Sequence, residues 1–195
     1  MVTRLAFGLT HLAALLGAVA IGLTLYQWGQ PLICSCGYVK VWVGSIFSSG
    51  NSQHIADWYT LSHIVHGLLI VLLGRWLMLG IGFAGLYTVA IVTGLAWEII
   101  EHTDRVLDLF CATTLYQGYR GDSVLNAVAD YLWMLGGFLL AFAFKTIWVV
   151  VLIAILEVTS AVIARDSLAL STLMLVYPVE AVEVWQQAIN PNPTP

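Results

Sequence analysis

Charged residues are scarce in this sequence: Asp, Glu, Lys and Arg together make up 9% of its 195 residues. The 7 Lys and Arg side chains are scattered along the chain, and the net charge is -4 at pH 7. Binding of nucleic acid or of anionic lipid headgroups depends on clustered Lys and Arg that neutralise phosphates. We therefore expect no nucleic-acid partner.

Cysteine is also rare, with Cys34, Cys36 and Cys111 as its 3 positions. A complete zinc site usually has four ligands and commonly a C-x-x-C spacing, which is missing here. The thiolates of Cys34 and Cys36 are soft ligands that could hold copper(I) or zinc. The sequence favours the alternative, unreactive thiols or a structural disulfide to Cys111, which would need an oxidising side of the membrane.

Hydrophobic residues, in contrast, make up 60% of the chain, and its mean hydropathy is +0.90. Several apolar runs reach the roughly 20 residues that a helix needs to cross about 30 Å of hydrocarbon. The sequence predicts an all-α, polytopic membrane helical bundle of one membrane domain, with about five transmembrane helices plus interfacial helices. The predicted spans are residues 5–28, 60–78, 82–102, 122–144 and 146–164, with interfacial segments at 31–58 and 167–188 and a frayed tail at 190–195.

One short interval between two apolar blocks, from Trp97 to Asp130, is rich in acidic side chains and contains one histidine. These residues are Glu98, Glu101, His102, Asp104, Asp108, Asp122 and Asp130. A charged side chain near the middle of a bilayer costs about 2.5–3.5 kcal/mol on insertion scales. We therefore expect the members of this set that lie within spans to face the bundle interior.

The predicted topology brings three groups of polar residues to one membrane face. The second span enters from the side of the first long connection, the third returns to that side, and the fourth leaves from it. In each group, the first residue is three or four positions from its nearest partners, so it shares a helix face with them. The groups are His63 with His66, Glu98 with Glu101 and His102, and Asp122 with Asn126 and Asp130. We expect them to meet in one pocket beneath a headgroup layer.

This convergence supports the hypothesis of a divalent metal site that activates water against a lipid-linked phosphate or ester. Zinc, manganese and iron all accept mixed histidine and carboxylate ligands, so the sequence does not select the metal. The candidate metal ligands are His63, His66, Glu98 and Asp122, and the candidate catalytic or orienting residues are Glu101, His102 and Asp130.

A second hypothesis treats the same residues as a structural polar network. Hydrogen bonds between membrane helices often contribute under about 1 kcal/mol each, so such a network can fix helix register without catalysis. The protein would then be a subunit or assembly factor of a larger membrane complex, in contact with lipid and other subunits. Glu157 is either an extra member of the cluster, a partner for Arg165, or a protonated carboxyl that a neighbouring helix satisfies.

Four blocks of the sequence resemble a known family. The blocks are QHIADWYTLSHIVHG, WEIIEH, YQGYRGDSVLNAVADYLWMLGGF and RDSLALSTLMLVYPVEAVEVWQ. In this order they are similar to the bacterial integral-membrane family catalogued as domain of unknown function 2585, over most of the chain from Cys34 to Gln186. A looser likeness to the VanZ-like group of small membrane proteins rests on few residues.

The resemblance implies a multi-pass protein of the bacterial inner membrane and no particular activity.

The orientation in the membrane is predicted from the positive charges near the ends of the spans, because cytoplasmic loops are enriched in Lys and Arg. Short links on the amino-terminal side contain Arg4, Arg75 and Lys145. We therefore expect a cytoplasmic amino terminus and a polar pocket that faces the periplasm.

Overall fold

The structure is a computed structural model that describes the backbone of residues 2–113 and 119–191 and the side chains of residues 8–112 and 119–191. Most of the tail predicted at residues 190–195 therefore lies outside the described residues. Within the described parts the fold contains eight α-helices and no β-strand. The helices are α1 (Val2–Gln27), α2 (Trp58–Leu77), α3 (Phe83–Glu101), α4 (Asp104–Thr113), α5 (Val124–Ala143), α6 (Thr146–Ile163), α7 (Leu168–Val176) and α8 (Glu180–Gln187).

Five of these helices, α1, α2, α3, α5 and α6, are long and apolar enough to cross a membrane. Each has 18 or more residues with a mean hydropathy between 1.4 and 2.4. The prediction of an all-α bundle with five membrane helices is therefore confirmed. The segment after α6 forms the two short helices α7 and α8, which are separated by a break at Pro178, where the missing backbone N–H stops a helix from continuing.

The chain places its long connections on one side of the bundle, because successive spans alternate in direction. Residues 28–57, 102–113, 119–123 and 164–191 lie at this end, which we call the polar face. Short links, residues 78–82 and 144–145, join the helices at the opposite face. The amino end of α2, the carboxyl end of α3 and the amino end of α5 therefore meet at the polar face.

The two central helices, α2 and α5, cross with their backbones in close contact. A Cβ atom added to Gly67 would collide with the carbonyl oxygen of Met134, and one added to Gly137 would collide with the carbonyl oxygen of Ile64. Small residues at such crossings allow membrane helices to pack closely. The core around this crossing includes Phe138 and Leu68, both fully buried.

The connection between α1 and α2 contains no helix or strand and folds across the start of α5. Its backbone is tied to that helix by the Val124 N–H donating to the Pro31 carbonyl at 2.9 Å and the Ser123 N–H donating to the Ser52 carbonyl at 3.0 Å. The side chain of Asn126 donates to the His54 carbonyl at 2.8 Å. These bonds fix the connection above the polar ends of α2 and α5.

At the opposite face, Arg75 near the end of α2 closes the bundle. Its guanidinium donates to the carbonyl oxygens of Ala141, Phe142 and Phe144, and also to the hydroxyl of Thr146. These carbonyls belong to the carboxyl end of α5, where backbone acceptors lack helical partners and a positive charge is favourable.

Candidate metal site at the polar face

The amino end of α2 begins the site with a capping box. The Asp57 carboxylate accepts from the backbone N–H groups of Ser52 at 2.7 Å and Tyr59 at 2.8 Å. The Thr60 hydroxyl accepts from the Asp57 N–H at 3.1 Å and donates to the Asp130 carboxylate at 3.2 Å. Burial raises the pKa of Asp57 to about 6, although the hydrogen bonds to Ser52 and Tyr59 oppose this rise. The cap therefore connects α2 to α5.

His63 lies one turn further along α2, between two carboxylates from other helices. Its Nδ1 atom is 3.7 Å from Oε1 of Glu98 on α3, and its Nε2 atom is 3.8 Å from Oδ2 of Asp130 on α5. Glu98 is fully buried, and its Oε2 atom has no hydrogen-bond partner among the described residues. A buried acceptor without a partner carries a desolvation cost, so this oxygen needs an explanation.

Glu101 and Asp122 approach each other through a single hydroxyl. Tyr119 Oη lies 3.2 Å from Oε1 of Glu101 and 2.8 Å from Oδ1 of Asp122. A hydroxyl carries one proton and can donate to only one of these acceptors at a time. The Oε2 atom of Glu101 is also buried without a partner in the described part of the chain. Burial raises the pKa values of Asp122 and Tyr119, as expected where carboxylates are crowded away from water.

His102 uses both of its ring nitrogens in structural hydrogen bonds. Nδ1 lies 2.7 Å from the Glu98 carbonyl oxygen, and Nε2 accepts from the Asp122 backbone N–H at 2.9 Å. A carbonyl oxygen only accepts and an N–H only donates, so this pair assigns the neutral ring with its proton on Nδ1. His102 is therefore placed to hold Asp122 in position and has no free lone pair in this arrangement.

We call Glu98, Glu101, Asp122 and Asp130, together with His63 and His102, the carboxylate cluster. Two subsets place one ligand atom from each residue within 4.8 Å of one another: His63 with Glu98 and Glu101, and Glu98 with His102 and Asp122. No Lys or Arg side chain among the described residues forms an ion pair with the cluster. The cluster thus has an excess of acceptors that its own side chains do not neutralise.

The predicted ligands are brought together only in part. His63 and Glu98 are neighbours, and Asp122 lies with Glu98 and His102 in the second subset. His66 belongs to neither subset, although it lines the adjoining cavity. The predicted residues Glu101 and Asp130 both reach the cluster.

A cavity of about 580 Å³ opens beside the cluster, between α2, α3, α4, α6 and α7. Its polar end includes His63, Glu101 and Tyr119, and it extends to Leu69 and Ile153, near the middle of α2 and α6. No Lys or Arg lines it within the part of the chain that the structure describes. Its size is in the range of small-molecule sites, which span roughly 300–1,000 Å³.

Glu157 and Arg165 do not pair with each other, contrary to one of the three predicted alternatives. The Glu157 carboxylate accepts from the backbone N–H groups of Leu168 at 3.2 Å and Ala169 at 3.0 Å, so it caps the start of α7. The Arg165 guanidinium donates to the Trp185 carbonyl and lies over the Trp185 ring. Neither residue joins the carboxylate cluster.

Asp166 forms a second buried carboxylate centre between α2 and α7. It accepts from the hydroxyl groups of Tyr59 at 3.1 Å and Ser171 at 2.9 Å, and from the Ser167 N–H at 2.9 Å. Burial raises its pKa to about 6, and these hydrogen bonds act in the opposite direction. Because its acceptors are satisfied by donors of the chain, Asp166 serves to attach α7 to the bundle.

The sequence left open either unreactive thiols or a disulfide to Cys111, and both alternatives are wrong for Cys34 and Cys36, because the structure joins these two residues to each other. Cys111 is a free thiol that donates to the Tyr119 carbonyl at 2.9 Å. The carboxyl end of α4 thus lies next to Tyr119 at the polar face, and the sequence pattern contains no signal for this contact.

Three residues of the site were not among the predicted ones: Tyr119, Asp57 and Thr60. Asp57 and Thr60 could have been identified, since Asp-x-x-Thr before an apolar run is a variant of the capping-box pattern. Tyr119 lies in one of the quoted blocks, but its hydroxyl reaches the cluster only through the path of the chain before Gly121. No spacing rule predicts that path.

Comparison with known proteins agrees with the quoted resemblance. Residues 25–188 match a family model described as protein of unknown function (DUF2585). Among similar proteins are UPF0314 proteins of Sinorhizobium fredii, 45% identical over 91% of both chains, and of Rhizobium meliloti, 43% identical over 91% of both chains. A UPF0314 protein of Paracoccus denitrificans is 44% identical over 91% of this chain and 92% of its own. No solved structure matches.

Proposed function

Because the chain belongs to the DUF2585 family, whose description assigns no activity, we propose a function from the site itself. The protein is a multi-pass protein of the bacterial inner membrane that binds one divalent metal ion at the carboxylate cluster. With this ion it hydrolyses an ester or phosphate bond of a lipid-linked substrate, which enters through the adjoining cavity.

The observation that carries the proposal is the pair of buried, unpartnered carboxylate oxygens beside His63. Oε2 of Glu98 and Oε2 of Glu101 both lack a hydrogen-bond partner among the described residues, and both side chains have a ligand atom within 4.8 Å of a His63 nitrogen. Buried carboxylates are normally paired with a cation or bind a metal ion. A divalent ion at this point would satisfy both oxygens and offset the local negative charge.

The geometry favours a revised ligand set for this ion. His63, Glu98 and Glu101 supply one nitrogen and two carboxylates, a combination that zinc, manganese and iron accept. Three protein ligands leave coordination positions for water and substrate, as in catalytic zinc sites. His66, predicted as a ligand, lines the cavity and is better placed to contact a substrate.

The remaining cluster residues orient these ligands. Asp130 lies 3.8 Å from Nε2 of His63, on the side away from Glu98, so it is placed to hold the imidazole with Nδ1 towards the metal position. Such carboxylate–histidine pairs are the usual support of metal-binding histidines. His102 in turn fixes Asp122, whose carboxylate accepts from Tyr119.

The chemistry of this arrangement is hydrolysis by an activated water. A bound divalent ion lowers the pKa of its water to about 7, which supplies a nucleophile at neutral pH. Asp122, which has an oxygen within 4.8 Å of a Glu98 oxygen, would accept the proton of that water, whereas Asp130 supports the His63 ring from its other side. Tyr119, between Glu101 and Asp122, offers a donor to a developing negative charge on the substrate.

The cavity favours an ester substrate over a phosphate. Its walls combine apolar side chains with the acidic residues Glu101 and Glu157, and none of its described lining residues is Lys or Arg. Phosphate sites are typically built from Arg, Lys and helix amino termini. An uncharged ester at the polar end, with its acyl chain between α2 and α6, fits this lining better.

The second hypothesis, a subunit of a larger complex, is favoured by the exposed surface of α6. Only 11% of the residues in this helix are buried, and large apolar side chains cover it: Ile147, Trp148, Ile155, Val158 and Val162. Lipid chains alone can cover such a surface. Gentle detergent extraction that always yields the same larger assembly would support the subunit hypothesis, and a monodisperse single chain would count against it.

Metal analysis of the full chain tests the proposed site. Protein purified in detergent without chelators, and supplied with zinc, manganese or iron, should contain about one ion per chain. We expect Glu98→Gln and Glu101→Gln to lose this ion, whereas the matched control Glu157→Gln, whose carboxylate caps α7, should retain it. A wild-type protein that takes up none of these metals would sink the proposal.

Comparison of two histidine variants tests which histidine is the metal ligand. His63→Ala should abolish metal binding, and His66→Ala should leave the metal content unchanged while weakening hydrolysis of a lipid ester presented in vesicles. Equal metal loss in both variants would contradict the revised ligand set. Release of fatty acid that continues unchanged in chelator would remove the role of metal in the reaction.

A further inference from the structure

A second group of reactive side chains lies in the connection between α1 and α2, separate from the carboxylate cluster. Ligand atoms of Cys34, Cys36 and His54 lie within 4.8 Å of one another. Cys34 and His54 are buried, whereas Cys36 is exposed. The two cysteines form a disulfide, and the group takes no part in the proposed hydrolysis.

The hydrogen bonds of His54 decide what this group can do. Its Nδ1 atom accepts from the Lys40 backbone N–H at 3.2 Å, so a neutral ring must carry its proton on Nε2. Burial and the nearby Lys40 ammonium lower the pKa of His54, which keeps the ring neutral at pH 7. Nε2 lies 4.0 Å from Sγ of Cys36. The imidazole therefore offers the sulfur an N–H, and it has no lone pair there for a metal ion.

Cys34 has a donor of its own. The backbone N–H of Cys36 points at Sγ of Cys34 at 3.2 Å. Each sulfur of the pair thus has one N–H close to it, and hydrogen bonds to a thiolate stabilise the charged form. A purely structural disulfide does not need such donors, because its sulfurs carry no charge.

We propose that Cys34 and Cys36 form an exchangeable disulfide that an external dithiol reduces through the exposed Cys36, with His54 as a positioning residue. The substrate class is a dithiol, either a small molecule or a cysteine pair of another protein. The reverse reaction makes the reduced pair a donor of two electrons.

The exchange proceeds in two balanced steps. A thiolate of the dithiol attacks Sγ of Cys36, the Cys34–Cys36 bond breaks, and Cys34 leaves as a thiolate that accepts from the Cys36 N–H. The second thiolate of the dithiol then attacks the mixed disulfide, and Cys36 leaves as a thiolate beside the His54 Nε2–H. Two electrons and two protons pass to the cysteine pair, and the dithiol becomes a disulfide.

This site is coupled to α5 through His54. The His54 carbonyl accepts from the Asn126 side chain at 2.8 Å, and the Tyr38 ring stacks on the His54 imidazole with centroids 5.7 Å apart. Asn126 lies one turn before Asp130 on α5, and Asp122 lies just before the start of this helix. The connection that contains the cysteine pair is therefore hydrogen-bonded to the helix that supplies Asp130.

A redox titration of the full chain in detergent tests the proposal. Cys111→Ser protein is equilibrated in mixtures of reduced and oxidised dithiothreitol, quenched with acid and labelled with a maleimide polymer that shifts its mobility on a gel. We expect one transition between no label and two labels under native conditions. A pair that stays unlabelled in excess dithiothreitol until the chain is unfolded would overturn the proposal.

Variants separate the role of His54 from its effect on folding. His54→Phe keeps a ring beside Tyr38 but removes the N–H, and should shift the midpoint ratio about tenfold towards harder reduction, which is about 30 mV for this couple. The matched control His66→Phe should leave the midpoint unchanged. An unchanged midpoint in His54→Phe would remove His54 from the mechanism.

A third experiment measures whether the reduced cysteine pair binds a metal ion. Reduced Cys111→Ser protein is mixed with zinc, and separately with copper(I), and its metal content is measured after desalting. We expect no additional ion that depends on His54. Binding of one such ion that is lost in His54→Phe would show a soft-metal site in place of an exchange centre.

Discussion

The interface between α2 and α5 has two parts that are built in opposite ways. Towards the polar face, Thr60 and His63 meet Asp130 through side-chain contacts of 3.2 Å and 3.8 Å. Deeper in the bundle, Gly67 and Gly137 let the two backbones touch without side chains. The glycine part supplies close packing, whereas the polar part holds more acceptors than donors. Close backbone packing and buried polar contacts are thus separated along one pair of helices.

The largest expected effect is a break in the glycine part. Gly137→Ala would place its Cβ against the Ile64 carbonyl oxygen, so α2 and α5 must move apart. Overpacking of this kind costs about 3 kcal/mol, which corresponds to a fall in Tm of about 10 °C. The measurement is thermal unfolding in detergent.

The neighbouring residue provides the control for this prediction. A Cβ added to Gly136 meets no atom within 4 Å, and Ala favours a helix over Gly, so Gly136→Ala should leave Tm unchanged or raise it. Equal losses in both variants would mean that the close approach at Gly137 does not support the fold.

A smaller effect on thermal stability is expected in the polar part, where Glu98→Gln should stabilise the metal-free protein and remove the stabilisation by zinc. Glu98→Gln replaces the unpartnered Oε2 of Glu98 with an amide group that can donate to the neighbouring carboxyl oxygens, so the metal-free variant should be more stable than the wild type by roughly 1 kcal/mol, which raises its Tm by about 2–4 °C. Zinc at 100 times its Kd should stabilise the wild type by about 2.7 kcal/mol. The variant should not respond to zinc.

Glu157→Gln is the matched control for both measurements, the Tm without metal and the change in Tm with zinc. It weakens the cap of α7, so its metal-free Tm should fall slightly, while its response to zinc should equal that of the wild type. A Glu98→Gln protein that is less stable without metal than the wild type would show that the cluster is a satisfied structural network.

The smallest expected effect concerns the pH dependence of stability at Asp166, the second buried carboxylate centre. The pKa of Asp166 is raised from 3.8 to about 6, so the protonated form of this residue is favoured in the folded state. Protonation of Asp166 therefore contributes fully to the free energy of unfolding below about pH 4, and this contribution is lost as the pH rises through about 6. Between pH 7 and pH 5 the wild type should gain about 1 kcal/mol relative to Asp166→Asn.

The measurement for Asp166 is the Tm of both proteins from pH 7 to pH 5. Asp104→Asn, which changes an exposed residue at the start of α4, is the control and should follow the wild type. Parallel curves for the wild type and Asp166→Asn would place the pH dependence elsewhere in the chain.

The fold was predictable from the sequence because membrane helices leave a strong local signal. An apolar run of about 20 residues identifies each span, and alternation of direction then places the ends of α2, α3 and α5 together. The meeting of His63 with Glu98 and Asp130 follows from that placement and from helix periodicity alone.

Details of the site depended on facts that periodicity does not contain. His63 and His66 share a helix face only approximately, because three residues turn an α-helix by about 300° and leave the side chains roughly 60° apart. That angle places His63 between two carboxylates and His66 on the cavity wall. The hydrogen bond to His102 comes from the Asp122 N–H, after a left-handed turn at Gly121 with φ of 92°. Such a contact depends on a loop path.

The guanidinium of Arg75 joins three helices at the face opposite the carboxylate cluster. It ties the last residues of α2 to the end of α5 and the first residue of α6 through four hydrogen bonds. The pairing of α2 with α5 is therefore fixed at both ends: by this guanidinium at one face, and by the contacts of Thr60 and His63 with Asp130 at the other. A change in the register of these two helices would have to break both sets of contacts.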